Sequence, residues 1–229
     1  MCRELLRKAF DDDPDAIKMF WEQGPDEHLV ELVESGLWPS DAHALDIGCG
    51  GGRNTGYLAE CGFAVSAVDI SFDRATLTRY RMYQLDAGCP KLALTTCGSM
   101  FSLPYKESSF ELVVSVGTYY SASTDSALID VLQETARVMK NGGVLLAKLT
   151  STRNPEPGAS PVEGTTSTYL TEDGTICRPT SEELVEMFGQ CHLFLTEPLE
   201  IRHGSSDGKR VTVVGLFVKE CSPNDCIEW

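Results

Sequence analysis

The chain has 229 residues, of which 42% are hydrophobic and 23% charged, a composition that excludes a chain dominated by disorder. Its 34 acidic residues against 19 basic ones give a formal net charge of −15, which disfavours binding to nucleic acid or anionic lipid. The sequence contains no stretch of 18 apolar residues, no apolar signal-peptide core and no CxxC pair among nine cysteines. We therefore expect a cytoplasmic protein with free thiols and no membrane partner.

The first forty residues are predicted to be helical. Leu29, Val30, Leu32 and Val33 form an apolar stripe at helical spacing, and the stretch 38–41 ends it, because proline cannot continue a helix. We interpret residues 1–40 as a helical cap on a domain spanning 41–229. The aromatic pair at 20–21 either closes over a ligand or simply packs between helices.

An alternation of strands and helices begins at residue 42. The apolar runs predict strands, and the amphipathic stretches between them predict helices. Asn141-Gly142-Gly143 is predicted to end the last of these helices. The predicted strands are 42–47, 64–68, 91–96, 110–116 and 144–149, and the predicted helices are 53–61, 72–86 and 125–139. This order predicts a single doubly wound, Rossmann-like α/β domain with a mostly parallel seven-stranded sheet.

The remaining third of the chain has a different character. Residues 150–169 are rich in Ser, Thr, Pro and Gly, and we interpret 150–179 as an acceptor-side loop. Thr180 and Glu183 form a capping-box pattern that predicts a helix through Phe188. Two last strands, 192–200 and 209–219, are joined by a polar turn, which predicts antiparallel neighbours near one edge of the sheet.

The most informative segment is a glycine-rich loop after the first strand, LDIGCGGGRN. Glycines let the backbone turn tightly and approach a ligand at the carboxyl end of a strand. Asp46 precedes them, and an anion there suits a cationic ligand better than a pyrophosphate. Asp69 ends the next strand, where a carboxylate can accept both hydroxyls of a ribose.

With these motifs, the sequence resembles the class I S-adenosylmethionine-dependent methyltransferases. LDIGCGGGRN is similar to the family's glycine-rich motif, and AVDIS to its acidic second-strand end. GSMFSLPYKESSFELVVS and RVMKNGGVLLAKL resemble its fourth-strand and fifth-strand segments. The resemblance covers residues 42–149. The form GCGGGRN further resembles a small-molecule, tellurite-resistance-type branch.

The resemblance implies a role for each matching position. Asp46, Gly48 and Gly50 would lie at the methionine end of S-adenosylmethionine, and Asp69 would bind the ribose. Ile70 and the Met100 amide would face the adenine, where Ser99 stands in place of the family's usual aspartate. The implied cofactor-binding set is Asp46, Gly48, Cys49, Gly50, Arg53, Asn54, Asp69, Ile70, Ser99, Met100, Val116 and Gly117, with the last two facing the sulfonium.

Three residues are candidates for catalysis. Tyr119 and Tyr120 follow the fourth strand, where either could orient a substrate or contact the sulfonium by a cation–π interaction. The alternative is that one packs in the core while the other caps a loop. His203 lies in the turn between the last two strands, where it is either a general base or an exposed residue without a role. The other histidines are interpreted as structural or surface groups: His28, His43 and His192.

The predicted function is methyl transfer to a small molecule with an oxygen or nitrogen nucleophile. Transfer of an activated methyl group needs mainly proximity and orientation. A non-catalytic cofactor-binding partner protein and a methyltransferase acting on a basic protein are the alternatives, while Asp46 argues against a nicotinamide-dependent oxidoreductase. The oligomeric state is left open.

Smaller patterns are also open to two interpretations. Four scattered cysteines either converge as thiolates on a soft metalloid acceptor or are ordinary free thiols. Asn154-Pro155 is interpreted as a loop element, and the acidic run 11–13 as a solvated helix boundary rather than a metal site. The four cysteines are Cys89, Cys97, Cys177 and Cys191.

Overall fold

A computed structural model describes Glu4, Arg7 and residues 22–39, 41–85, 94–151, 160–163, 168–171, 174–177, 179–203 and 211–220. The predictions for residues 11–13, 20–21, 89 and 154–155 lie outside these described residues. The chain forms two compact units. The first consists of Met1–Tyr105 and Ser109–Val114, and the second of Lys106–Ser108 and Ser115–Trp229. The predicted division at residue 40 does not separate the two units.

The first unit alternates strands and helices as predicted. Strand β1 pairs in parallel with β2 and β4, and β2 pairs in parallel with β3. In chain order the elements are α1 (Glu27–Glu34), β1 (His43–Ile47), α2 (Arg53–Glu60), β2 (Ala64–Asp69), α3 (Phe72–Leu85), β3 (Leu94–Cys97) and β4 (Phe110–Val116). Their bounds differ from the predicted ones by three residues at most.

The apolar runs explain why this unit forms a parallel sheet. Leu45, Ile47, Leu112, Val113 and Val114 are almost completely buried, because each strand carries apolar side chains on both faces. Consecutive strands run in one direction, so their carboxyl ends meet at one edge. The glycine loop follows β1 at this edge, and Asp69 ends β2 there.

The second unit combines two sheets. Strand β11 pairs antiparallel with β5, β9 and β10, while β6, β7 and β8 form a separate three-stranded antiparallel sheet. A 3-10 turn spans Tyr119–Ser121. The other elements are α4 (Asp125–Val138), β5 (Met139–Ser151), β6 (Ser160–Pro161), β7 (Thr168–Thr171), β8 (Gly174–Cys177), α5 (Ser181–Gln190), β9 (Leu193–Leu195), β10 (Glu200–His203) and β11 (Val211–Lys219).

The predicted fold class is confirmed. The strand order is β10-β11-β5-β4-β1-β2-β3, and β9 pairs with β11 off this path. The predicted strand 192–200 is two short strands rather than one. Both pair with β11, and between them lies Pro198, which has no N–H to donate to a ladder.

Two further predictions of local structure are corrected. Helix α4 ends at Val138, because Met139 already adopts an extended backbone (φ −73°, ψ 142°). The Asn141-Gly142-Gly143 stretch therefore lies within β5 instead of ending a helix. The acceptor-side loop is also not wholly irregular, since it contains β6, β7 and β8. The capping box at Thr180 and Glu183 is confirmed.

Candidate functional site

The glycine loop after β1 has a backbone that other residues rarely adopt. Gly48, Gly50 and Gly52 have φ values of 75°, 55° and 78°, in the left-handed region that glycine tolerates best. At Gly52 a Cβ atom would also lie 3.0 Å from the Thr78 side chain and 3.1 Å from its Cα. The loop is fastened at its start by Gly48 N, which donates to Val68 O at 2.8 Å. This backbone is shaped for a tight turn at the end of β1.

Asp69 joins three segments at the same sheet edge. Its Oδ2 accepts from Gly50 N and its Oδ1 from Ser71 N, each at 2.9 Å. Its backbone oxygen accepts from Gly98 N at 2.9 Å. Because a carboxylate offers about four acceptor positions, these two bonds leave two for the hydroxyls of a ligand. The structure thus fixes the orientation of the Asp69 carboxylate at this sheet edge.

Asp46 is buried beneath the loop with only 1% of its surface exposed. Its Oδ2 accepts from Thr55 Oγ1 at 2.6 Å. Burial raises the pKa of Asp46 from 3.8 to about 6, against the opposing effects of the Thr55 hydrogen bond and the Arg53 charge. A cation bound nearby would favour the ionised carboxylate, so the site is suited to a positively charged ligand.

Cys49 is part of the loop's packing. The Thr78 hydroxyl lies 2.9 Å from Gly50 O, to which it donates, and 3.4 Å from Cys49 Sγ. Burial and the nearby Asp46 charge raise the pKa of the Cys49 thiol well above its usual range. The thiol therefore stays protonated and has the properties of a small apolar group.

Arg53 and Asn54 begin α2, and their side chains contact the segment before α1. Arg53 Nη1 donates to Gly24 O at 3.1 Å, and its Nη2 lies 3.9 Å from Asp26 Oδ2. Asn54 Oδ1 accepts from Asp26 N at 2.9 Å. Asp26 also caps α1 through the His28 N–H and contacts His28 Nδ1. No local sequence pattern predicts this link between the segment 24–28 and the first turn of α2.

The predicted adenine-side residues lie at neighbouring strand ends. Ile70 is 78% exposed, and its carbonyl oxygen lies 3.5 Å from Cys97 Sγ, the donor. Ser99 Oγ accepts from Phe101 N at 3.2 Å, and Met100 is partly buried. Two exposed aromatic residues near this set, Phe72 and Phe101, were not among the predicted site residues. Phe72 begins the predicted helix after the strand 64–68, and Phe101 lies in the segment after the strand 91–96, so their location beyond the strand ends is the signal that could have identified them.

Two threonines that position this site were also missed. Thr55 and Thr78 are completely buried, and they hold Asp46 and Gly50 respectively. A buried threonine on a helix has no sequence signature, because its hydroxyl commonly bonds to the helix's own backbone. Only the tertiary structure shows which partner each hydroxyl has.

In the second unit, the two predicted tyrosines have different environments. Tyr119 is 1% exposed, and its hydroxyl lies 2.9 Å from Thr135 Oγ1. Burial raises the pKa of Tyr119. Tyr119 therefore packs in the core, which is the alternative given for one of the two tyrosines. Its buried position does not support the prediction of a catalytic role. Tyr120 is 46% exposed and remains one.

Val116 is the last residue of β4, as predicted, and Gly117 follows it. Gly117 has a φ of 69°, and its N–H donates to Lys148 O at 2.9 Å. This bond ties the backbone after β4 to β5. Gly117 is the position where the chain leaves the strand, and its positive φ explains the glycine there.

His203 is the last residue of β10 rather than part of a turn. It is aligned with Val211 of β11, which is aligned with Ser151 of β5. Because β11 is antiparallel to both strands, β10 runs in the same direction as β5. The backbone of His203 thus lies at the edge where β5 ends, while its side chain lies outside the described residues.

The other histidines and the cysteines fit simple roles. His28 is buried against Asp26, whereas His43 and His192 are exposed. Cys97 is exposed and Cys191 is buried. Within the described residues, no group of three His, Cys, Asp or Glu side chains could hold a metal ion. None of the helices in the described part of the chain is long and apolar enough to cross a membrane.

Comparison with known proteins gives a family match to the central part of the chain. Residues 44–143 match the model of a methyltransferase domain. The chain is 33% identical over 125 residues to 24-methylenesterol C-methyltransferase 2 of Oryza sativa subsp. japonica. That match covers 53% of this chain and 32% of the rice protein, so the chain spans about a third of the length of the curated relative it matches.

Solved structures share the fold. A SAM-dependent methyltransferase from Methanosarcina mazei has a TM-score of 0.68 and 20% identity, with 83% of this chain and 98% of that chain covered. The 1,6-didemethyltoxoflavin-N1-methyltransferase of Burkholderia thailandensis, solved with 1,6-didemethyltoxoflavin and S-adenosylhomocysteine, has a TM-score of 0.67 and 16% identity. That match covers 96% of this chain and 89% of the Burkholderia chain. The family match covers residues 44–143, which lie inside the predicted domain 41–229, and it supports S-adenosylmethionine as the cofactor.

Proposed function

We propose that this chain, whose residues 44–143 match a methyltransferase domain, transfers a methyl group from S-adenosylmethionine to a small organic acceptor. The observation that carries the proposal is the buried carboxylate of Asp69, which is held by Gly50 N and Ser71 N and keeps acceptor positions for two ribose hydroxyls. The glycine loop beside it has the left-handed backbone that permits close approach of a ligand.

Different residues of the first unit would bind different parts of the cofactor. Asp69 would bind the ribose, and the exposed face of Ile70 would pack on the adenine. Asp46 would balance the positive charge of the methionine end, because its carboxylate is buried next to the loop. When bound, S-adenosylmethionine supplies an activated methyl group on its sulfonium.

The protein's own contribution to catalysis is then mainly orientation. Holding two reactants in line is worth about 7–11 kcal/mol of the barrier, and no general base is needed unless the nucleophile carries a proton. Tyr120 is the exposed aromatic residue beyond β4 that we propose to orient the acceptor. His203, at the end of β10, is proposed as the base where one is needed.

The acceptor side is proposed to lie in the second unit. The small sheet of β6, β7 and β8 contacts the turn Tyr119–Ser121 through β8. It is also tied to the start of α4, because Thr168 Oγ1 donates to Asp125 Oδ1 at 3.3 Å. This sheet lies in the segment 150–179 that the sequence analysis assigned to the acceptor.

A small-molecule acceptor has support from two relatives. The rice protein is named for methyl transfer to a sterol carbon, and the Burkholderia enzyme for transfer to a ring nitrogen. We propose an oxygen or nitrogen nucleophile as the default, with an electron-rich carbon as the alternative that the sterol relative favours. The GCGGGRN motif is the only support for the finer tellurite-resistance-type branch.

Isothermal titration calorimetry tests the cofactor. The wild-type protein, freed of bound cofactor, is titrated with S-adenosylhomocysteine and in parallel with NADH. We expect micromolar binding of S-adenosylhomocysteine, and a loss of about 10–100-fold in Asp69→Asn, which removes a charged acceptor. Glu134→Gln, in the second unit, is the matched control. Binding of NADH alone would contradict the proposal.

Radiolabel transfer tests the activity and the acceptor class. The protein is incubated with S-adenosylmethionine labelled on its methyl group and with panels of phenols, amines and sterols. Label in the organic phase would identify a small-molecule acceptor. Label precipitated with a basic protein such as histone would indicate a protein methyltransferase. Cofactor binding without transfer to either class would favour a non-catalytic binding protein.

A further inference from the structure

The Asn141-Gly142 pair lies near the start of β5 and has no part in the proposed methyl transfer. Both residues are exposed, and Gly142 has a φ of 75°, in the left-handed region. The pairing of β5 with β11 begins only at Val144, which is aligned with Val218. The pair therefore lies outside this ladder, on the surface of the second unit.

The structure leaves the Asn141 side chain unrestrained. Among the described residues, it has no hydrogen-bond or ion-pair partner. A Cβ atom added at Gly142 would meet no atom within 4 Å, and glycine has no side chain that would shield its own nitrogen. The side-chain carbonyl carbon of Asn141 can therefore approach the backbone nitrogen of Gly142.

Asn54, at the start of α2, has the opposite environment. It is 5% exposed, and its Oδ1 accepts from Asp26 N at 2.9 Å. The next residue is the completely buried Thr55, whose β-branched side chain shields the following nitrogen. Asn54 therefore serves as an internal reference for an asparagine that the fold protects.

We infer that Asn141 is a site of spontaneous deamidation, with water as the co-reactant. The Gly142 nitrogen loses its proton and bonds to the side-chain carbonyl carbon of Asn141. The bond from this carbon to the amide nitrogen breaks, and that nitrogen takes up the proton and leaves as ammonia. Water then opens the cyclic imide. Opening at the main-chain carbonyl gives isoaspartate, and opening at the side-chain carbonyl gives aspartate.

Isoaspartate would lengthen β5 between two points that contact β11. Lys219 Nζ donates to Met139 O at 2.9 Å, while the preceding residue, Val218, is aligned with Val144. The modified residue lies between Met139 and Val144, and its main chain contains an additional carbon atom. At least one of the two contacts must then change, so isoaspartate should destabilise the second unit, whereas aspartate only adds a charge. This inference does not depend on the proposed function.

Peptide mapping by mass spectrometry tests the site. The full chain is incubated at mildly alkaline and at mildly acidic pH, both folded and in guanidinium chloride, and fragmentation locates each deamidated residue. We expect Asn141 to convert at similar rates in the folded and unfolded chain, and faster at alkaline pH, because the Gly142 nitrogen must lose a proton. Asn54 should stay intact in the folded protein. Conversion of Asn141 in the unfolded chain alone would overturn the inference.

Variants test the assignment and its consequence for β5. Asn141→Gln and Gly142→Ala should each slow the release of ammonia, and an unchanged rate in both would overturn the assignment. Asn141→Asp carries the new charge without a longer main chain. The isoaspartate form, separated by chromatography from aged wild type, should unfold at a lower guanidinium concentration than Asn141→Asp. Equal midpoints would overturn the predicted effect on β5.

Discussion

The two units of the chain fix their polar groups to different degrees. In the first unit, the buried Asp69 and Asp46 carboxylates are each held by named donors, and the loop between them has a strained backbone that glycine relieves. In the second unit, the candidate residues differ from each other: Tyr119 is sealed in the core, whereas Tyr120 is exposed. The candidate residues of the first unit are thus fixed by hydrogen bonds, whereas the two candidate tyrosines of the second unit are distinguished by burial alone.

The largest expected effect is on the glycine loop. Gly52→Ala places a Cβ atom 3.1 Å from the Thr78 backbone at a φ of 78°. A non-glycine residue in such a conformation costs about 1–3 kcal/mol. We expect thermal denaturation to show this loss and calorimetry to show at least tenfold weaker binding of S-adenosylhomocysteine. Unchanged affinity for S-adenosylhomocysteine would show that cofactor binding does not depend on the backbone conformation of the glycine loop.

A glycine in the second unit provides the contrast. At Gly215 a Cβ atom would lie 2.5 Å from Phe217 and 2.7 Å from Leu199. Phe217 stacks on Phe188 with ring centroids 3.9 Å apart, which restricts how far it can move. Gly215→Ala should therefore cost about 1–3 kcal/mol of stability by overpacking, measured by urea denaturation. The affinity for S-adenosylhomocysteine should not change. A tenfold loss of affinity would show that packing at Gly215 affects cofactor binding.

Asp46 should show opposite effects on stability and binding. Its pKa in the folded protein is about 6, above the unfolded value of 3.8, so this group's contribution to stability is complete below pH 3.8 and lost as the pH rises through 6. Asp46→Asn should raise the free energy of unfolding at pH 7 by about 1–3 kcal/mol. The same variant should bind S-adenosylhomocysteine more weakly.

The pH dependence of binding sharpens this prediction. The positively charged amino group of S-adenosylhomocysteine is expected to need an ionised Asp46. The affinity of the wild type for this ligand should therefore fall about tenfold between pH 7 and pH 5, which is one unit below the pKa of about 6. Asp46→Asn should give a flat profile over this range. A parallel fall in both proteins would assign the pH dependence to another group.

The smallest effects are expected for the tyrosine pair. Tyr119→Phe removes the hydroxyl that contacts Thr135 Oγ1 and should cost about 1 kcal/mol of stability, with little change in methyl transfer. Tyr120→Phe should leave stability unchanged within about 0.5 kcal/mol, as is usual for surface positions. Its turnover of the identified acceptor should fall instead. A reversal of these two results would restore Tyr119 as a catalytic candidate.

The sequence predicted the first unit well, because its elements have strong local signals. The apolar run 110–116 predicts β4 with the bounds that the structure shows. The glycines predict the loop, and their positive φ values explain why this residue type is needed there. Asp69 was identified because a polar residue at the end of an apolar strand is conspicuous.

Other features depend on contacts that no local pattern encodes. Asn141-Gly142-Gly143 is a strong turn signal, but the chain had already become extended at Met139, and the stretch lies in β5. The orientation of Asn54 depends on Asp26, which is 28 residues away. Burial of Tyr119 but not of Tyr120 likewise follows from packing, since adjacent tyrosines carry the same local signal.

The position of β11 has a consequence for how the chain folds. This strand lies between β5 and β10, and its register joins Val211 to Ser151 across sixty residues of sequence. Until residues 211–219 are available, the β5 ladder on this side has no partner and offers an open edge for pairing with other chains. The first unit can form during synthesis, whereas the second must await its last strand. Truncation before Val211 should therefore cause aggregation, whatever happens at the glycine loop.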